Sequence, residues 1–231
     1  MDRRYPYKWS PYSSHSQIAS MLGPGHGRKL LDIGCSDGVL GSVLQTQGWQ
    51  VFGVEPHAGD AEIARGRGLT IFEMTMERAL EELEFDFSAV VLADALEHCV
   101  DPWDNMITLH KKLAPKTRLL ISLPNVAHIY VRAQLLVGTF RYEPRGLLDA
   151  THLRFFTNKT AKSMILHAGF QIESSRVTAT PLELVHPSLA ATRSGRGLLR
   201  VNWNMSRLMP GLLGYQRIYS AVVPQVSSTV C

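Results

Sequence analysis

The stretch LLDIGCSDGVLG, Leu30 to Gly41, runs an apolar strand ending near Asp32 directly into a glycine turn and then into helix-forming residues. A strand, a tight turn and a helix in immediate succession commit the chain to parallel strands joined by crossover helices. The turn reads Gly34-Cys35-Ser36-Asp37-Gly38, a GxxxG spacing. A dinucleotide site needs glycine where Ser36 stands, so that backbone can approach a pyrophosphate, and this turn therefore suits a phosphate-free cofactor. The second strand, QVFGVE, ends in Glu55, 21 residues beyond Gly34. An α/β site places a carboxylate there to hydrogen-bond both ribose hydroxyls. A glycine turn alone also serves plain tight turning, and it is the pairing with Glu55 that turns it into a site.

From Leu30 to about Leu123 short apolar runs alternate with helical patterns. KLLDIG, QVFGVE, LTIF, SAVVLAD and TRLLISLPN are the expected strands, while Val39, Leu40, Val43 and Leu44, then Met106, Leu109 and Leu113, recur at helical spacing. These imply a doubly wound α/β core with helices on both faces. Beyond Asn125, VAHIYVRAQLLVG reads as a helix, and TFRYEPRGLLDATHLRFFT as a long, functional connection. TNKTAKSMILHAGF carries a helix capped by Thr157 or Asn158 and ended by Gly169, before two strand-like runs, FQIESS and RIYSAVV. Residues 181–214, with three prolines and four glycines, form an insertion that either covers the site or makes a dimer contact. The expected division is an N-terminal lid or helix over 1–28 and one catalytic domain over 29–231, with SSTVC frayed at its end.

A chain of 231 residues with 45% hydrophobic content can bury one sizeable core. A net charge of +4, with no basic stripe interleaved with aromatics, does not describe a nucleic-acid binder. Neither a membrane-length apolar run nor a signal-peptide core is present, so a cytoplasmic protein with no membrane insertion is expected. Cys35, Cys99 and Cys231 are far apart and suggest reduced thiols.

LLDIGCSDGVLG, VFGVEP and ADALEH, in this order, resemble motifs of the class I S-adenosylmethionine-dependent methyltransferases, and SLPNVAH and DATHLRFFT resemble a bacterial group within them. The likeness covers about Tyr5 to Ser175. It implies a Rossmann-like, seven-stranded, mostly parallel sheet with an antiparallel last strand, and S-adenosyl-L-methionine as cofactor with S-adenosyl-L-homocysteine as product. It also implies that Asp32 and Gly34 lie near the methionine part, with Cys35, Ser36 and Gly38 shaping the turn. Glu55 would hold the ribose, Pro56 would border the adenine, and Met76 would pack on its other face. Where many members carry an Asp for the adenine amino group this chain has Thr75, with Glu77 or backbone as substitutes. Asp94, Leu96 and Tyr12 are placed to serve the sulfonium, a fixed cation that needs carboxylates, carbonyls or aromatic faces.

Transfer to an oxygen requires a base near neutrality, which suits histidine. His152, standing among Asp149, Arg154 and Phe155 in the long loop, is the first candidate, followed by His128 and His98, with His15 in an N-terminal lid. Asn125, Arg132, Asp149 and Arg154, with Arg141 and Arg145 nearby, are the candidate acceptor contacts and suit an anionic or sugar-like small molecule. Each of these also has a structural reading, as a loop-holding histidine or a solvated arginine. Tyr5, Tyr7, Trp9 and Tyr12 form either a lid or an N-terminal staple. A small-molecule O-methyltransferase is the leading reading, with N- or C-methylation as alternatives and a homodimer as an open assembly. A nucleic-acid methyltransferase lacks its Asn/Asp-Pro-Pro-aromatic signature, a nicotinamide reductase lacks its glycine, and a non-catalytic module does not explain intact Gly34, Gly38 and Glu55. No tight ligand spacing marks a metal, although Asp94, Asp149 and Asn125 are of ligand type.

Overall fold

In the computed structural model residues 10–225 are described. Seven strands form one sheet in the order β3-β2-β1-β4-β5-β7-β6. β1 (Lys29–Ile33), β2 (Gln50–Val54), β3 (Thr70–Phe72), β4 (Ala89–Ala93) and β5 (Arg118–Pro124) pair in parallel. β7 (Gln216–Val222) inserts antiparallel between β5 and β6 (Gln171–Val177). The five central strands and both late ones stand where the apolar runs predict them. β6 continues past FQIESS to Val177, because pairing with β7 satisfies backbone that its polar side chains do not advertise.

The period-two alternation of the strands sorts their side chains between two cores. Leu31, Ile33, Val90, Leu92, Leu119 and Ile121 face α4 (Met76–Glu82), α5 (Pro102–Lys112) and α7 (Asn158–His167). Leu30, Val51, Val91 and Leu120 face α1 (Ser14–Leu22), α2 (Val39–Thr46) and α3 (Ala58–Gly66). The sheet is therefore covered on both sides. Parallel strands covered on both faces present their ligand-binding edge at the carboxyl ends, where loops are free to carry chemistry.

Three connections build up that edge. α6 (Ile129–Leu136) follows β5, starting later than its sequence run because His128 caps it by accepting the Tyr130 N–H. The 137–157 connection then leads to α7, whose capping box joins Thr157 to Thr160. After β6 the chain makes α8 (Leu182–Val185), α9 (Ser188–Ala191) and α10 (Arg193–Leu208) before entering β7. β6 runs parallel to β5, so the three helices leave from the carboxyl edge and return to it. Among the described residues no helix is long and apolar enough to cross a membrane. Tyr5, Tyr7, Trp9, Cys231 and the SSTVC tail lie outside the described residues.

Candidate active site

Gly34, Ser36 and Gly38, at φ +76, +50 and +75, carry the turn after β1 through the left-handed region. A Cβ on Gly34 would stand 2.9 Å from the Ala95 Cβ, so glycine is what lets the turns after β1 and β4 touch. Ser36 pays a steric cost there that its backbone contact offsets: its N–H donates to Glu55 Oε2 at 2.8 Å. The His57 N–H donates to the other oxygen, Oε1, at 2.9 Å. Glu55 thus ties the first two turns together while two lone-pair directions remain for further donors. Burial pushes its pKa up, and the two N–H donors oppose that rise.

Asp32 is 1% exposed, and neither of its carboxyl oxygens has a hydrogen-bond partner. Burial, and then the negative charge of Glu55, push its pKa up to about 7. A buried carboxyl without donors is costly, and such a group beside a ligand edge fits an incoming cationic or N–H donor. Cys35 is buried under the same turn, and burial pushes its thiol far up, which keeps it an inert packing residue.

Around the expected adenine position, Pro56 is exposed at the end of β2. Met76 is 6% exposed and packs in the core, with its Sδ 3.9 Å from Cys99 Sγ. Thr75 caps α4, and Glu77 accepts from Asn105 Nδ2 at 2.9 Å. Asp94, at φ +56 just past β4, accepts from Ser122 Oγ and from Gln216 Nε2, each at 2.7 Å. It therefore locks β7 to the turn after β4. Leu96 is fully buried in the core, and Tyr12 stacks on Trp203 of α10 at 5.0 Å between ring centroids. Tyr12, Thr180, Leu199, Asn202 and Gln216 line a cleft of about 340 Å³ between the N-terminal segment and the insertion.

Two of the three histidines converge. His98 and His152 meet edge to face at 5.0 Å, and His152 Nε2 lies 4.0 Å from Glu97 Oε1. The long loop is docked there by its backbone, since the Leu153 and Arg154 N–H groups both donate to the Glu97 carbonyl, at 2.8 and 3.0 Å. Glu97 is 1% exposed and neither side-chain oxygen has a hydrogen-bond partner; burial, then Asp94, hold its pKa well above the carboxylate range. Burial, then His98, lower the pKa of His152. Glu97, Val126, Leu147, His152, Arg154 and Phe155 line a second opening of about 170 Å³.

His128 is placed elsewhere: besides capping α6 it lies 3.1 Å from Thr180 Oγ1 through Nε2, and burial lowers its pKa. Asn125 is equally engaged, with Nδ2 donating to the Gly214 carbonyl at 2.9 Å and Oδ1 accepting from the Ala127 N–H. Asp149 accepts from Thr151 N–H and Oγ1, at 2.8 and 2.7 Å, and shapes the loop that presents His152. Arg132 is exposed and donates to the Ala127 carbonyl, whereas Arg154 is exposed at the rim of the Glu97 opening. His15 lies in α1.

Glu97 and Gln216 carry the geometry and were not singled out by sequence reasoning. Glu97 stands inside ADALEH, where an acidic residue between Leu96 and His98 was the available signal. Gln216 had none, because its role depends on β7 entering beside β5.

A mixed sheet of this strand order, with a carboxylate at the end of β2 and a glycine turn after β1, defines a Rossmann-like methyltransferase fold. The chain superposes on a SAM-dependent methyltransferase from Archaeoglobus fulgidus with a TM-score of 0.62 and 19% identity, covering 91% of this chain and 95% of that one. It also superposes on magnesium protoporphyrin IX methyltransferase from Synechocystis PCC 6803, solved with SAH, at TM-score 0.58 and 17% identity, covering 89% and 77%. A family model described as a methyltransferase domain matches residues 1–175, and the chain belongs to that family. It is similar to the ubiquinone biosynthesis O-methyltransferase of Pseudomonas aeruginosa, 29% identical over 105 residues. That match covers 43% of this chain and spans 45% of the relative's length.

Proposed function

We propose that the protein transfers a methyl group from S-adenosylmethionine to an oxygen of a small-molecule acceptor. The methyl donor is S-adenosylmethionine. The observation that carries its placement is Asp32, a buried carboxyl with two unpartnered oxygens one turn from Glu55. Asp32 suits the amino group of the methionine part, and the remaining lone pairs of Glu55 suit ribose hydroxyls. The cofactor supplies a methyl on a positively charged sulfur. Gly34 and Gly38 let the turn pack closely against Ala95 and against Ala64 and Leu69, and Asp94, fixed by Ser122 and Gln216, contributes negative charge to the same edge.

The choice of oxygen rests on the Glu97, His98 and His152 cluster and is supported by the O-methyltransferase named among the relatives. The protein's task is to hold an acceptor hydroxyl in line at near-attack distance and to remove its proton. An oxygen lone pair forms the new O–C bond, the S–C bond breaks with its electron pair on sulfur, and the hydroxyl proton leaves to the cluster. Arg154 at the rim suits an anionic substituent of the acceptor. Calorimetry with S-adenosylhomocysteine and with NADH tests the cofactor assignment: the first is expected to bind and the second not. Absence of S-adenosylhomocysteine binding overturns the reading. A His152→Ala protein is expected to keep that affinity while losing turnover; full activity would remove the cluster from the chemistry.

A further inference from the structure

We infer that Glu97, His98 and His152 form a binding site for a divalent transition-metal cation. Their ligand atoms lie within 4.8 Å of one another, although 54 residues separate His98 from His152 in the chain. Two imidazoles and one carboxylate are a donor set suited to zinc, manganese, iron or cobalt, and less so to magnesium or calcium, which prefer oxygen. Bonds of about 2.0–2.1 Å on a tetrahedral ion put ligand atoms ~3.4 Å apart. The His152 Nε2 to Glu97 Oε1 separation is 4.0 Å, so modest side-chain rotation closes the set. His98 is exposed and able to make that adjustment.

Two independent observations support a cation there. Glu97 is 1% exposed with both carboxyl oxygens unpartnered, a state that an adjacent cation relieves. His98 Nδ1 lies 3.1 Å from the Thr151 carbonyl, and donation of its N–H to that oxygen leaves the lone pair on Nε2. A carbonyl fixing the tautomer is the arrangement usual for a ligating histidine. Asp94 and Asp149 add negative charge around the set without belonging to it. Glu97 and His152 border the opening that Arg154 and Phe155 also line, which sets the site at the edge where the acceptor is proposed to bind.

The inference rests on the proposed function and changes the role of the cluster in it: with an ion bound, the imidazoles serve as ligands in place of acting as the base, and the cation would favour the deprotonated acceptor oxygen, the proton passing to solvent. Its test is independent of turnover. Untagged full-length protein stripped with a chelator is titrated with Zn²⁺ by calorimetry and with Co²⁺ by visible absorption. About one ion per chain is expected, with affinity falling more than tenfold in both Glu97→Gln and His98→Ala. His98 is exposed, so the second variant retains the fold even where the first does not. No ion bound by the unsubstituted protein, or binding indifferent to both substitutions, overturns the site. If S-adenosylhomocysteine still binds in that case, the methyl-transfer reading stands with the histidines acting alone. Ion binding without S-adenosylhomocysteine binding leaves the metal site intact and overturns the cofactor reading instead.

Discussion

Asp32 and Glu55 share one buried edge, and the charge of Glu55 adds to the burial that raises the cost of charge on Asp32. In the ligand-free protein Asp32 titrates at about 7 against 3.8 for an ordinary aspartate. The folded state therefore holds a proton between pH 4 and 7 that the unfolded chain has released. Stability from this group is complete below the unfolded value and is lost as pH rises through about 7, a difference of ~4 kcal/mol. Denaturant titrations at pH 5 and pH 8 are expected to show the loss, and Asp32→Asn is expected to flatten it. A ligand ammonium reverses the preference, so S-adenosylhomocysteine should bind more weakly below pH 7 in the parent protein and with little pH dependence in Asp32→Asn. Glu55→Ala removes the acceptor of two backbone N–H groups and is expected to cost about 1–3 kcal/mol of cofactor affinity by calorimetry. Unchanged affinity would show that the ribose lies elsewhere. Gly34→Ala places a methyl 2.9 Å from Ala95 Cβ at a positive φ, and a loss of at least ~1–2 kcal/mol of stability is expected on unfolding.

At the scale of elements, β7 does more than complete the sheet. Its first residue, Gln216, reaches Asp94 at 2.7 Å, so the strand farthest along the chain positions a group beside the methyl-transfer edge. Gln216→Leu leaves one Asp94 oxygen without its donor while keeping the strand register. Activity is expected to fall about tenfold or more, with the thermal transition changed by only a few degrees; an unaltered rate would make the contact purely structural. The capped helix α7 behaves differently. Thr157→Ala removes the half of the capping box in which Thr157 Oγ1 accepts the Thr160 N–H, leaves the Thr157 N–H on Thr160 Oγ1, and is expected to cost about 1 kcal/mol of stability, measured by urea unfolding, with S-adenosylhomocysteine affinity retained. Strand and cap positions were legible because alternation and capping are local properties of the chain. α8–α10 were not, because their sequence mixes glycines, prolines and arginines, and their order depends on contacts such as Tyr12 on Trp203.

For the molecule as a whole, two cores on opposite faces of one sheet leave the carboxyl edge as the place where loops from distant segments meet. The sequence by itself determined the α/β architecture, the strand positions, the glycine turn and its acidic partner. Each is encoded within a single strand or between neighbouring strands, where periodicity and spacing are readable. Only the tertiary structure decided which histidines act together. His128 and His152 look alike as loop histidines in sequence, yet the fold turns one into a helix cap bound to Thr180 and brings the other beside Glu97 and His98. The physical reason is that a buried carboxylate acquires its character from what the fold leaves around it. Glu97 is one acidic residue among many in the chain, and it becomes a site because the docked loop removes its water and places an imidazole 4.0 Å away.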